Sequence, residues 1–111
     1  MSLPEPSLNI LLINENPDEI KLVTTSLRSF FSGSRIEAGY SSEEALTFSQ
    51  QGEWHIIVID QDLTPERGLD LLARLRRNVP YAAIILQTNE SDSQTAVQAL
   101  QHGADFLLFK Q

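Results

Sequence analysis

The sequence predicts an α/β domain, a parallel β-sheet with helices packed on both faces. Three observations lead there. Five short apolar runs recur along the 111 residues, each stopping at polar or turn-forming residues. Between them lie four stretches with apolar residues at helical spacing. One run, Ile56-Ile57-Val58-Ile59, is apolar on both sides, as a strand covered on both faces requires. Strands alternating with helices pair in parallel through right-handed crossovers, a doubly wound βαβαβαβαβ order.

Asn9 to Ile13 (NILLI) is the first strand, and Asn14-Glu15-Asn16-Pro17 ends it. Pro17 suits the first turn of a helix, with Asp18 and Glu19 favouring its N-terminal dipole. Ile20, Val23, Leu27, Phe30 and Phe31 then form one stripe predicted to be buried. Ser32-Gly33-Ser34 stops that helix, and Arg35 to Tyr40 is a shorter strand. Ser41 or Ser42 caps the second helix, with Glu43 or Glu44 in its first turn. Ala45, Leu46 and Phe48 give its apolar side, and Gln51-Gly52 ends it. The central strand runs next and stops at Asp60.

The third helix spans about Glu66 to Asn78, with Leu69, Leu72 and Leu75 inward and Arg74, Arg76 and Arg77 on a solvated face. Pro80 breaks the chain, and Ala82 to Leu86 is the fourth strand, ending in Gln87-Thr88-Asn89. Ser91 or Asp92 caps a fourth helix whose apolar residues are Ala96, Val97 and Leu100, and Gly103 closes it. Asp105 to Phe109 is the fifth strand, followed by Lys110-Gln111.

This length supports one domain, read as residues 7–111 behind a flexible Pro-rich leader, 1–6 (MSLPEP). No apolar run approaches the roughly 20 residues of a membrane span. Neither does a basic segment precede an apolar one as in a signal peptide. The absence of cysteine removes disulfides and thiolate metal sites and fits a cytoplasmic protein. A net charge of -7 argues against direct nucleic-acid binding, which needs a basic stripe.

In a parallel sheet every strand's C-terminal end lies on one edge, where ligands collect. The strands deliver Asn14 and Glu15, then Asp60, Thr88 and Lys110 to that edge. Two acids, a hydroxyl and an amine suit a hard cation held between carboxylates, with Thr88 and Lys110 placed to receive a phosphoryl group. Magnesium typically takes one or two carboxylates plus backbone oxygens, waters and phosphate. The plainer reading of the same residues is a structural Asp60–Lys110 ion pair with Thr88 as a cap.

The spacing of these residues resembles the receiver domain of bacterial response regulators, over about Leu8 to Lys110. Gly68 follows Asp60 by eight residues, Thr88 precedes Gly103 by fifteen, and Lys110 follows Gly103 by seven. The ENPDE run at 15–19 and Gly103-Ala104-Asp105 are similar to the family as well. The resemblance implies a five-stranded sheet of order 2-1-3-4-5, phosphorylated on Asp60 by a histidine kinase or phosphotransfer protein. It implies magnesium held by Glu15, Asp60 and the backbone carbonyl of Asp62, with Asn14 a weak or water-mediated ligand. Thr88 and Lys110 then bind phosphoryl oxygens. The domain assists its own phosphotransfer rather than turning over as an enzyme, and it switches an output domain or protein; homodimerisation fits the family too.

Four departures from the family pattern carry expectations. Asn14 replaces an acid, so magnesium affinity should be reduced. Thr64 stands where the family has proline, and Leu107 where it has a switch aromatic. Lys110 is followed by Gln111 rather than proline. The family's last helix does not follow the fifth strand, so the sheet face beside the first helix should expose an apolar patch. Asn14 and Leu107 also suit an alternative, a pseudo-receiver that binds proteins without being phosphorylated. Outside the edge, His55 and Trp54 are read as residues at the strand's far end, and His102 as serving a helix C-terminus.

Overall fold

The computed structural model describes residues 7–89 and 93–110. The leader, the capping role of Ser91 or Asp92 and the position of Gln111 lie outside those residues. The element order is β1 (Asn9–Ile13), α1 (Pro17–Phe30), β2 (Arg35–Gly39), α2 (Ser42–Ser49), β3 (Ile56–Asp60), α3 (Gly68–Asn78), β4 (Ala83–Thr88), α4 (Ser93–Gln101) and β5 (Phe106–Phe109). All four strand pairings are parallel, and the sheet order is β2-β1-β3-β4-β5. The predicted α/β class and the order 2-1-3-4-5 are both present.

Side-chain alternation splits the core in two. On one face Leu11, Ile13, Ile57, Ile59, Ile84 and Leu86 are buried with Ala45 of α2, three leucines of α3 and Ala99 of α4. On the other, Ile10 and Leu12 pack with Ile20 of α1. Only α1, among the described helices, contributes to that second cluster. The β4–β5 part of its face is correspondingly open. Ile85 is half-buried, and Phe106 and Leu108 are 62% and 49% exposed. The apolar patch expected beside α1 is there.

Several sequence expectations need correction. Phe30 and Phe31 do not join the buried stripe of α1; Phe30 is exposed. A 14-residue helix is about 21 Å long, whereas a five-residue strand spans about 16 Å, so the last turn overshoots the sheet. In α4 the buried residues are Thr95 and Ala99, while Val97 and Leu100 face outward. At 100° per residue Val97 lies opposite the Thr95–Ala99 seam and Leu100 roughly 120° around from it. The small seam lets α4 sit close to the sheet.

Helix α3 begins at Gly68 rather than Glu66, and its buried stripe is Gly68, Leu71, Leu72 and Leu75, with Leu69 only half-buried. Strand β4 runs on through Gln87 and Thr88 because Asp60 and Phe109 pair with them.

Arg76 is the largest correction. It is not solvated but fastens the C-terminal end of α3 to its neighbours. Its guanidinium donates to the carbonyls of Gly103 (2.6 and 2.9 Å) and Ala82 (2.7 Å) and to the Asp105 carboxylate (2.6 Å). Asp105 in turn accepts from the Ile84 amide (2.8 Å). That backbone bond, with Arg76, holds the Asp105 carboxyl below the ordinary carboxylate range despite some desolvation. A planar fork of donors is needed to reach three acceptors at once. Arg76→Ala is expected to cost about 2–4 kcal/mol, since part-buried carbonyls lose donors, and Arg76→Lys to recover less than half. Urea unfolding of the three proteins checks this.

At the far end of the sheet, Trp54 is buried, donates its indole N–H to the Phe48 carbonyl (2.7 Å) and meets the Phe48 ring edge-on. His55 accepts from the Asn9 amide, and the His102 ring nitrogen lies 2.6 Å from the Gln98 carbonyl at the end of α4. All three serve packing and capping.

Candidate functional site

The sheet's C-terminal edge is built by register. Asp60, the last residue of β3, is paired with Gln87, one residue before Thr88. Thr88 is paired with Phe109, and its carbonyl accepts from the Lys110 amide (2.8 Å). Lys110 therefore follows β5 as Asp60 ends β3, and the pleat turns Asp60, Gln87, Leu108 and Lys110 toward the face that α1 covers. Helix α1 starts at this same edge, so its first turn is also part of the rim.

Asp60 is 4% exposed, and the Lys110 ammonium lies directly against its Oδ1. That oxygen is buried and accepts no regular hydrogen bond. Burial pushes the Asp60 carboxyl up from its ordinary value; Lys110 opposes the shift, and Asp62 and Glu19 reinforce it. Lys110 keeps more water, and Asp60, Glu19 and Asp62 together outweigh its own desolvation, so its ammonium is held more firmly than usual. A carboxylate whose charge costs this much to bury is a candidate for chemistry.

The remaining predicted residues fall as follows. Thr88 is completely buried. Asp62 is exposed in the loop after β3. Glu15 is exposed and reaches across to that loop, where its Oε1 accepts from both the amide and the hydroxyl of Thr64. Asn14 is buried; its Oδ1 accepts from the Asn16 amide (2.9 Å) and its Nδ2 donates to Glu19 Oε2 (2.6 Å). Thus Asp60 and Lys110 meet, while Glu15 and Asn14 are engaged by neighbours. No group of three or more carboxylate or imidazole side chains converges as a metal cage among the described residues.

Two site residues escaped the sequence reading. Glu19, taken only as a favourable charge in the first turn of α1, lies 3.6 Å from the Lys110 ammonium. Gln61 follows Asp60 and is buried. Its amide donates to the Gln87 carbonyl (2.8 Å), its carbonyl accepts from Gly68 (3.1 Å), and its Oε1 caps α3 at the Leu69 amide (2.7 Å). Helix α3 thus has its cap supplied from β3's end, not by its own N-cap residue Arg67. The signal for Glu19 was available: a helix following β1 must begin at the edge where β1 ends.

The family model for the response regulator receiver domain matches residues 10–111. The chain is 32% identical over 77 residues to the alginate biosynthesis transcriptional regulatory protein AlgB of Pseudomonas syringae, covering 68% of this chain and 17% of that protein. It therefore spans about a sixth of the length of this curated relative. Among solved structures it resembles a Burkholderia pseudomallei response regulator holding a phosphorylated aspartic acid, a calcium ion and citrate. That match has a TM-score of 0.85 and 30% identity, covering 93% of this chain and 59% of the other. The Vibrio cholerae chemotaxis protein CheY4 shares the fold at TM-score 0.85 and 19% identity, covering 95% of this chain and 88% of the other.

Proposed function

The chain belongs to the response regulator receiver domain family of two-component signalling, and from that membership we propose that Asp60 accepts a phosphoryl group from a histidine kinase or phosphotransfer protein. The observation that carries the reading is the buried Asp60 carboxylate with the Lys110 ammonium set against it at the sheet's C-terminal edge. The matched Burkholderia structure, which holds a phosphorylated aspartic acid, supports the same chemistry.

An Asp60 carboxylate oxygen attacks phosphorus, and the bond from phosphorus to the donor's imidazole nitrogen breaks in line. The acyl phosphate carries nearly two negative charges on its phosphoryl oxygens in place of the carboxylate's one. Lys110 neutralises one phosphoryl oxygen and the Thr88 hydroxyl bonds another. Catalysis here is positioning and charge stabilisation, as a loose phosphoryl-transfer transition state requires. Drawing Thr88 toward the phosphoryl group biases the loop into α4, and so the surface offered to an output domain or protein. The domain is a substrate that assists its own modification.

The donor set is of the kind magnesium takes: the Asp60 carboxylate, whose Oδ1 lies against Lys110, and the exposed Glu15 carboxylate would be its one or two carboxylates, beside waters and the Asp62 carbonyl. When bound, the ion offsets repulsion between the acidic rim and an anionic donor. Asn14 provides no charge, so affinity is below that of a site with two acids after β1. Asn14→Asp is expected to tighten magnesium binding, measured by calorimetry; unchanged affinity would remove position 14 from the ion's surroundings.

The test of the function is intact-mass spectrometry after incubation with acetyl phosphate, with and without magnesium. One metal-dependent, hydroxylamine-labile phosphoryl adduct is the expected result. No adduct, from either acetyl phosphate or a phosphorylated phosphotransfer protein, overturns it.

A further inference from the structure

Glu19 closes the ENPDE run quoted above but has no part in the chemistry just described, yet it sits inside the site. Its Oε2 takes a short hydrogen bond from Asn14 Nδ2 (2.6 Å) and faces the Lys110 ammonium at 3.6 Å. Lys110 in turn lies on Asp60. Three elements, the β1–α1 loop, α1 and the end of β5, are thereby joined to β3 through one ammonium. Glu19 is only half-exposed, and Asn14 is buried and fixed by the Asn16 amide, so Glu19 is aimed from a rigid base.

We propose that Glu19 is a positioning residue that holds the Lys110 ammonium over the Asp60 carboxylate, and that Asn14 is the residue that aims it. Position 14 is then a donor with a task, and the negative charge it lacks stands one helical turn further on. When Asp60 becomes an acyl phosphate it no longer offers Lys110 a carboxylate, and Glu19 keeps the ammonium within reach of the new phosphoryl oxygens. This consequence rests on the phosphoacceptor reading; the contact itself does not.

Charge alone argues the opposite sign. A carboxylate beside the site repels an anionic donor, so removing it for that reason would speed phosphorylation. Holding Lys110 in place makes removal slow it. Glu19→Gln separates the two, because glutamine still accepts from Asn14 but no longer attracts Lys110. The initial rate of adduct formation from acetyl phosphate should fall roughly two- to five-fold, the range a partly exposed ion pair supplies. Asn14→Ala should slow the reaction in the Glu19 background and change it little once Glu19→Gln is present. A faster or unchanged rate in Glu19→Gln, or an equal Asn14→Ala effect in both backgrounds, overturns the proposal.

A second measurement stands without phosphorylation. In urea unfolding, Glu19→Gln should shift the folding equilibrium by roughly two- to five-fold more with Lys110 present than in Lys110→Ala. Equal shifts in the two backgrounds mean that Glu19 does not hold Lys110, whatever the rates show. If wild type takes no phosphoryl group while the coupling is present, the phosphoacceptor reading fails and the positioning contact stands.

Discussion

Asp60→Asn is expected to abolish the phosphoryl adduct while leaving the chain folded. The substitution keeps the shape of the side chain and removes the nucleophilic carboxylate. Folding should not suffer, for a reason of sign. Burial raises the Asp60 carboxyl above its ordinary value against the pull of Lys110, so ionising it favours the unfolded state. That cost is present at pH above the folded value and disappears as pH falls below the unfolded one. Asparagine avoids it, and Lys110 retains Glu19 as a partner. The unfolding midpoint at neutral pH should therefore be no lower than wild type, and the difference between the two should close on acidification. Mass spectrometry and thermal unfolding on the same samples separate lost chemistry from lost structure. An adduct that persists on Asp60→Asn places the acceptor elsewhere, the exposed Asp62 being the first residue to examine.

That Asp60 could be singled out from sequence follows from how parallel sheets work. Ile56–Ile59 reads as a strand buried on both sides, and the polar residue that ends such a strand has one place to go. The same logic located Thr88 and Lys110, because each closes its own apolar run. Where helices present their faces was less legible. Val97 and Leu100 suggest an inward stripe, but burial in α4 is decided by small Thr95 and Ala99 against the sheet. The tertiary environment outweighs a weak helical pattern there. Arginines crowd the end of α3 in a way that suits its dipole, and nothing in the sequence separates Arg76 from Arg77. What distinguishes Arg76 is the cluster of carbonyls at Ala82 and Gly103, 6 and 27 residues away. Glu19 was missed differently: the start of α1 at the sheet edge was legible, but its partner Lys110 is distant in sequence, and nothing local pairs the two.

Gly68→Ala is expected to damage both the fold and the site. A Cβ at position 68 would lie 2.3 Å from the Asp60 carbonyl oxygen and 2.9 Å from both the Asp60 carbonyl carbon and Gln61 Cα. These atoms are backbone at the end of β3, with no rotamer to escape into, so the first turn of α3 must move away. That movement stretches the hydrogen bond from the Gly68 amide to Gln61 and the Gln61 cap on Leu69 (3.1 and 2.7 Å), which fix the residue next to Asp60. The cost should reach about 3 kcal/mol, the upper part of what forced overpacking brings. Loss of glycine's flexibility in the unfolded chain works the other way and recovers under about 1 kcal/mol. Gly33→Ala is the matched control, since nothing lies within 4 Å of a Cβ there, and it should be neutral or slightly stabilising. Urea unfolding of both variants, with the rate of adduct formation for Gly68→Ala, tests the argument. If Gly68→Ala behaves like Gly33→Ala, the close approach of α3 to the end of β3 does not constrain the site. If Gly68→Ala is destabilised and phosphorylates slowly even under conditions where it is fully folded, the glycine is what lets a helix begin against the carbonyl of the residue that carries the phosphoryl group.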